Sequence, residues 1–231
     1  MCGRFAITSP PEAVRHHFGY TDQPNFPPRV DIRPTEPVPV VRLIHGERRF
    51  QLMRWGFIPG FVKDERDFPL LFNARAETLF EKASFRNAIR RRRCLFFADS
   101  FTEWQKLDEK GRRKRAFTIR RPMGGLMAFA GIWECWQSPN GSEIDTAAII
   151  TTSANAALAA IHERMPVILE KHDFDAWLAP ETSIPEISRL LAPLSDEQLE
   201  IVPSEAQAPP REEAPSRRKT KPESPQLGLF G

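Results

Sequence analysis

Short segments with β-strand character follow one another through the middle of the chain, whereas helical patterns lie mainly on its flanks. The strand segments cover residues 38–44, 48–55, 93–98, 115–120, 126–133 and 146–152. Apolar and polar residues alternate around Phe50 and Leu52, and again around Phe117 and Ile119, as in strands with one buried face. Residues 45–47 predict a hairpin turn between the first two strands. This order predicts an α+β fold and excludes a repeated β-α-β unit.

Helical patterns cover residues 9–18, 77–90, 154–162, 171–178 and 184–191. In the first of them Ser9 and Glu12 stand at capping-box spacing, and Gly19 can end the helix. Residues 21–39 contain six prolines and predict a loop.

Composition excludes several classes of protein. The 231 residues suffice for one domain, and a hydrophobic content of 41% excludes a wholly disordered chain. No apolar run approaches the ~20 residues of a membrane-spanning helix, and no signal peptide opens the sequence, so we expect a cytoplasmic protein without membrane contact. Cys2, Cys94 and Cys135 are odd in number and far apart, which favours reduced thiols. No zinc-type spacing occurs, so we expect no metal and no cofactor.

Positive charge is concentrated in residues 86–121, which hold 13 Lys and Arg against four Asp and Glu, although the whole chain has a net charge of only +3. Clustered cations bind polyanions by releasing counterions condensed on phosphates. The segment favours a nucleic-acid partner; a solvated basic face without a ligand is the alternative.

The composition changes again at Glu205. Residues 205–225 contain no large apolar side chain and cannot bury enough surface to offset their ordering entropy. We therefore predict a folded domain over residues 1–204 and a disordered tail over residues 205–231.

Cys2 has distinctive chemistry. Removal of Met1, which is usual before a small residue, would give Cys2 an α-amine beside its thiol. The amine titrates at about pH 8 and the thiol at about pH 8.5, so both nucleophiles are available near neutrality. With an aldehyde, the amine would form an imine and the thiol would close a thiazolidine ring. An inert cysteine is the alternative.

Six motifs occur in order along the chain: residues 1–5 (MCGRF), 54–60 (RWGFIPG), 73–78 (NARAET), 93–104, 128–134 (AFAGIWE) and 161–169 (IHERMPVIL). Together they resemble the SRAP (SOS-response-associated peptidase) family. The resemblance implies a mainly antiparallel β-sheet or barrel core with short flanking helices. It also implies a nucleoid-associated protein that recognises abasic sites in single-stranded DNA and shields them through a covalent thiazolidine crosslink, its peptidase name reflecting removal of Met1.

The resemblance further implies four active-site residues. Cys2 would supply both nucleophiles, Glu103 would act as general acid and base, His162 would donate or shuttle a proton at the sugar, and Asn73 would orient the amine. From spacing alone, a surface carboxylate, a structural histidine and a turn residue are the alternatives for Glu103, His162 and Asn73.

The same resemblance implies DNA contacts of three kinds: phosphate-binding arginines and a hydroxyl, aromatic rings that stack on bases or belong to the core, and a wedge beside the lesion. The positions are Arg4, Arg75, Arg164 and Thr151 for the backbone, Trp55 and Trp104 for the bases, and Pro34 for the wedge. The basic residues 90–93 would add phosphate contacts; a solvated helix end is the alternative.

Three stretches depart from the family pattern. Asp31 and Arg33 stand where the family has an amide and an alanine, close to the expected DNA path. Ser100 and Thr102 replace residues beside Glu103. The family usually ends with a Pro-Val-Ser stretch followed by an acidic residue and a proline, and only residues 202–204 correspond to it here. This shortening predicts that a terminal strand is missing.

The end of the tail carries a further resemblance. Gln226, Leu227, Leu229 and Phe230 resemble the pentapeptide by which bacterial replication and repair proteins bind the sliding clamp; an apolar end without a partner is the alternative. Two other functions stay open beside abasic-site capture: an N-terminal-nucleophile thiol peptidase or amidohydrolase, and a non-covalent single-strand-binding module. We expect a monomer.

Overall fold

The computed structural model describes residues 2–205, which form thirteen β-strands and five short α-helices. The strands are β1 (Phe5–Ile7), β2 (Arg29–Ile32), β3 (Pro37–Ile44), β4 (Glu47–Trp55), β5 (Asn73–Arg75), β6 (Arg93–Ala98), β7 (Ser100–Lys106), β8 (Lys114–Arg120), β9 (Met127–Gln137), β10 (Glu143–Ser153), β11 (Arg164–Pro166), β12 (Ile168–Leu169) and β13 (Glu200–Ser204). The helices are α1 (Pro11–Phe18), α2 (Ala88–Arg91), α3 (Ala156–Ala159), α4 (Phe174–Leu178) and α5 (Ile184–Arg189).

Five strands close into a barrel in the order β10-β4-β3-β6-β9, because β9 pairs with β10 as well as with β6. All of these pairs are antiparallel except β10 with β4. The predicted hairpin is confirmed, since Ile44 pairs with Glu47 across a turn in which His45 and Gly46 both have positive φ. The predicted α+β fold with a mainly antiparallel barrel core is therefore confirmed.

A second, antiparallel sheet has the order β13-β8-β7-β1-β2. It packs against the barrel through aromatic rings of β1 and β7: the Phe5 and Trp55 centroids are 5.0 Å apart, and the Phe101 and Phe129 centroids 5.8 Å. The prediction that a terminal strand is missing is wrong. β13 pairs with β8 over five residues, from Glu200 opposite Arg120 to Ser204 opposite Ala116, and forms the edge of the sheet.

The helical predictions are only partly confirmed. α1 ends at Gly19, which adopts the left-handed conformation with φ 69°, but the predicted capping box is wrong, since the Ser9 hydroxyl donates to Asp99 instead. Residues 77–90 do not form one helix; they form a 3₁₀ turn, irregular turns and the start of α2. The predicted helices over residues 154–162 and 184–191 are present but shorter, as α3 and α5, whereas residues 171–178 are helical throughout, as a 3₁₀ turn followed by α4.

The basic segment does not present an uninterrupted row of cations. Arg93 is 2% exposed, and its guanidinium donates to four backbone carbonyls, including those of Ile89 and Trp177. Burial lowers the pKa of Arg93 to about 10. Other arginines of the segment pair with carboxylates, as Arg92 with Glu134, Arg113 with Asp108, Arg120 with Glu200 and Arg121 with Glu170. The prediction that Arg93 contacts a phosphate is thus wrong, because its guanidinium is buried and donates to backbone carbonyls of the core.

Cys2, Cys94 and Cys135 are free thiols, as predicted. Within residues 2–205, the structure contains no helix long and apolar enough to cross a membrane. The same residues bring together no group of three or more His, Cys, Asp or Glu side chains that could hold a metal ion.

Candidate active site

The register between β1 and β7 brings the start of the chain to Glu103. Phe5 pairs with Phe101, and the Thr102 N–H donates to the Arg4 carbonyl at 2.9 Å. Extending this antiparallel register by two residues places Gly3 opposite Glu103. The contact uses the backbone of Thr102, so the unusual side chain at this position does not alter the register. Cys2 and Glu103, 101 positions apart in sequence, are therefore neighbours.

Asn73 fixes the backbone of Cys2 from the other side. β5 lies parallel to β10, with Asn73 paired to Ile149, and this pairing holds the amide at the site. Its Nδ2 donates to the Cys2 carbonyl at 2.8 Å. Its Oδ1 is buried and has no hydrogen-bond partner within residues 2–205.

The electrostatics of the site are dominated by burial. Glu103 is 2% exposed, and desolvation raises its pKa from 4.5 to about 7. The Cys2 thiol is fully buried, and burial, together with the nearby charge of Glu103, raises its pKa well above the usual range. Glu103 can therefore both donate and accept a proton near neutral pH, whereas the thiol stays protonated until a base removes its proton.

His162 lies in the loop between α3 and β11. Its Nδ1 accepts the backbone N–H of Arg164 at 3.0 Å, and burial lowers the pKa of the ring, so the neutral ring carries its proton on Nε2. Gln105 of β7 donates to the Ala160 carbonyl at 2.9 Å and ties this loop to the strand that carries Glu103. The loop that carries His162 is therefore attached to β7, the strand that carries Glu103.

Arg164 is buried and holds neighbouring groups together by hydrogen bonds, so it is not an exposed cation. It is 9% exposed, and its guanidinium donates to both Glu77 oxygens, at 2.6 and 2.9 Å, and to the Thr151 carbonyl at 2.6 Å. The Arg164 guanidinium in turn lowers the Glu77 pKa. Glu77 was not expected to have a role, although its position inside the motif of residues 73–78 was the available signal.

A second arginine is held close to Cys2. Arg4 is 6% exposed; its Nε lies 2.9 Å from Asp31 Oδ1, and its guanidinium stands 5.0 Å from the centre of the Trp104 ring. Trp104 is half-buried, with Arg4 over its ring. Asp31, noted above as a departure from the family, is thus the ion-pair partner of Arg4.

The other predicted DNA-binding residues differ in exposure. Arg75 is exposed at the end of β5, and Pro34 is half-buried in the loop after β2. Thr151 is fully buried, and its Oγ1 has no hydrogen-bond partner within residues 2–205. Trp55 is fully buried and donates from its indole nitrogen to the Phe72 carbonyl at 2.8 Å. No face of the Trp55 ring is open to a base, so it belongs to the core that supports the site.

The predicted clamp-binding residues Gln226, Leu227, Leu229 and Phe230 lie outside the described residues. The predicted domain boundary at residue 204 falls one residue before the described part of the chain ends.

Comparison with known proteins identifies the family. The family model for SOS response associated peptidase (SRAP) matches residues 1–207. The abasic site processing protein YoqW of Bacillus subtilis (strain 168) is 36% identical over 204 residues, which cover 87% of this chain and 90% of that protein. The abasic site processing protein HMCES of Rattus norvegicus is 27% identical, over 85% of this chain and 69% of its own length.

The fold comparison agrees with the family match. A crystal structure of a protein from Bacteroides thetaiotaomicron superposes with a TM-score of 0.79 at 27% identity, covering 87% of this chain and 91% of that one. The resemblance inferred from six motifs is therefore confirmed, and the chain belongs to the SRAP family.

Proposed function

We propose that this protein recognises abasic sites in single-stranded DNA and captures them covalently through Cys2 once Met1 has been removed. The observation that carries the proposal is the placement of Cys2 beside Glu103, a buried carboxyl group whose pKa is raised to about 7. Relatives of the chain are named abasic site processing proteins, which supports the choice of substrate. The exposed Arg75, Arg90 and Arg91 supply charge for the DNA backbone.

The reaction joins an aldehyde to an aminothiol and releases one water molecule. The Cys2 amine adds to the aldehyde carbon of the ring-opened sugar, and the carbinolamine takes up one proton and loses water to give a protonated imine. The thiol sulfur then adds to the imine carbon as the thiol releases one proton, which yields a neutral thiazolidine with no net gain or loss of protons. No oxidant or reductant takes part.

Glu103 serves both proton transfers. In its acid form it donates to the hydroxyl that leaves the carbinolamine, and the resulting carboxylate takes the proton of the buried thiol during ring closure. A pKa of about 7 keeps both forms populated at neutral pH. His162, with its proton on Nε2, can donate to the sugar oxygen as the ring opens.

Ring closure explains the use of a thiol beside the amine. A simple imine acidifies the adjacent sugar carbon and promotes β-elimination, which breaks the strand. The thiazolidine removes this electron sink. The captured strand therefore stays continuous, whereas an amine without a thiol would act as a lyase.

The test incubates purified protein, shown by mass to lack Met1, with single-stranded DNA that carries one abasic site, and resolves the products on a denaturing gel. We expect a shifted band with the damaged strand, none with undamaged DNA, and none with Cys2→Ala. Cys2→Ser forms at most an oxazolidine and should give a less durable band.

Crosslinking that is unchanged in Cys2→Ala would overturn the mechanism. Hydrolysis of peptide or amide substrates without any adduct would favour the thiol amidohydrolase. Equal, purely non-covalent binding of damaged and undamaged strands would favour a simple binding module.

A further inference from the structure

One carboxylate holds two guanidinium groups at the loop beside the site. Asp31 Oδ1 lies 2.9 Å from Arg4 Nε, and Asp31 Oδ2 accepts from Arg33 Nε at 2.9 Å and from Arg33 Nη2 at 2.6 Å. The three side chains together carry a formal charge of +1, so the group remains cationic although each arginine touches the carboxylate.

The two arginines differ in what can reach them. The Arg4 side chain is 8% exposed and lies over the Trp104 ring, whereas the Arg33 side chain is 51% exposed. Asp31 engages the Nε and Nη2 edge of Arg33. The Nη1 group of Arg33 is therefore the donor that a ligand on the protein surface can reach without displacing Asp31.

The backbone under Arg33 is anchored to the barrel. The preceding residue, Ile32, is fully buried and pairs with Phe5 of β1. The Thr35 N–H donates to the Trp55 carbonyl at 2.7 Å, and Thr35 adopts the left-handed conformation with φ 77°. The Glu36 N–H donates back to the Arg33 carbonyl at 3.3 Å. Arg33 is thus a cation on a fixed loop, and β1 links that loop directly to Cys2.

We propose that Arg33 binds a phosphate of the DNA strand next to the captured lesion and that Asp31 positions the Arg33 guanidinium for this contact. The proposal rests on the proposed function, because it assigns the DNA strand to this edge of the site. A planar guanidinium suits phosphate oxygens, and a carboxylate on its other edge restricts its rotation before the strand arrives.

The experiment measures non-covalent binding of single-stranded DNA that carries a tetrahydrofuran abasic analogue, which has no aldehyde and cannot react with Cys2. Affinity is measured as a function of salt for the full chain, Arg33→Ala and Arg33→Lys. Arg120→Ala is the matched control, because Arg120 is 48% exposed and is likewise paired with one carboxylate, Glu200.

For Arg33→Ala we expect affinity to fall about tenfold at low salt and the slope of log K against log salt to decrease by about 0.7, the value for one phosphate on a single strand. Arg33→Lys should restore the slope, since it restores the charge. Arg120→Ala should leave the slope unchanged. Unchanged binding by Arg33→Ala, or an equal loss in Arg120→Ala, would overturn the proposal.

The role of Asp31 is tested by a double-mutant cycle. Asp31→Asn should weaken binding at least threefold in the wild-type background and should not weaken it in the Arg33→Ala background. Equal effects in both backgrounds would show that Asp31 does not act through Arg33.

The two proposals fail in different ways. Absence of an adduct with true abasic DNA, together with normal binding of the analogue, overturns the proposed capture and leaves the Arg33 contact in place. Loss of the adduct is not expected in Arg33→Ala at saturating DNA. A wild-type protein with no measurable affinity for single-stranded DNA would overturn both.

Discussion

Replacement of Glu103 by glutamine should make the stability of the protein less dependent on pH. The unfolded chain loses the Glu103 proton at an ordinary pKa of 4.5, whereas burial holds the pKa in the native state at about 7. Between these values the unfolded state binds fewer protons than the native state, so the unfolding free energy falls as pH rises. Above pH 7 both states are ionised, and the loss is complete.

The size of the effect follows from the shift. Each pKa unit corresponds to ~1.4 kcal/mol, so the ionised, 2% exposed Glu103 lowers the unfolding free energy by about 3 kcal/mol at high pH. Most of this loss, about 2–3 kcal/mol, occurs between pH 5 and pH 8. Glutamine keeps the shape of the protonated acid and cannot ionise. The variant should therefore gain about 2–3 kcal/mol on the wild type from pH 5 to pH 8.

Urea unfolding of DNA-free protein at pH 5 and pH 8 measures this difference. Glu109→Gln, the same substitution at an exposed position between β7 and β8, is the control, and its difference from the wild type should be the same at both pH values. A Glu103→Gln difference that is equal at pH 5 and pH 8 would refute the reasoning.

The Glu103→Gln variant should also slow adduct formation with little change in non-covalent DNA affinity. A primary affinity defect would contradict the catalytic role.

Three further substitutions test the structure around the site. Arg93→Lys leaves buried carbonyls without donors and should lower the unfolding free energy by about 3 kcal/mol in urea; weaker DNA binding at unchanged stability would instead indicate a phosphate contact. Gly131→Ala places a Cβ 2.5 Å from a phenylalanine ring carbon and should cost about 1–3 kcal/mol in thermal unfolding; an unchanged melting temperature would show that the barrel has room. Glu77→Gln removes the charged partner of Arg164 and thereby loosens the loop that carries His162. It should reduce the single-turnover rate of adduct formation. A normal rate together with weaker DNA binding would instead indicate that Arg164 contacts the phosphates.

The strands could be predicted because the apolar pattern of each strand lies within a few consecutive residues. Alternation at Phe50 and Leu52 predicts the strand β4 but the wrong buried face, since Leu52 is 57% exposed whereas Met53 and Trp55 are buried. The uninterrupted apolar run in residues 94–98 corresponds to a fully buried strand. Closure of the barrel depends on β9 pairing with both β6 and β10. No local pattern contains that information, and it was expected only through the family resemblance.

The segment of residues 77–90 shows where local patterns fail. Leu79 and Phe85 are both buried, at 0% and 4% exposed. Six residues apart, they would point about 120° from each other on a straight helix. The broken turns allow both side chains to reach the core, where the Phe85 ring packs 5.6 Å from Phe57. Tertiary packing therefore overrides the helical propensity of the segment.

At the candidate site, chemical reasoning from the sequence singled out the proposed nucleophile but not the residues around it. The aminothiol argument singled out Cys2 from its position in the chain, whereas Asn73, Glu103 and His162 were assigned through family motifs. Their proximity depends on the register of β1 with β7 and of β5 with β10, which the sequence does not state. Asp31 was noted only as a departure from the family pattern, because its contacts with two arginines require the folded loop.

Arg164 shows why an arginine in a family motif cannot be assigned to DNA from sequence alone. Removing a guanidinium from water is costly unless its donors find acceptors, and here Glu77 and the Thr151 carbonyl supply them. The backbone N–H of the same residue fixes the tautomer of His162. The positive charge of Arg164 thus acts on the groups that it orders, whereas the exposed Arg75 is the arginine that we propose to contact the DNA backbone.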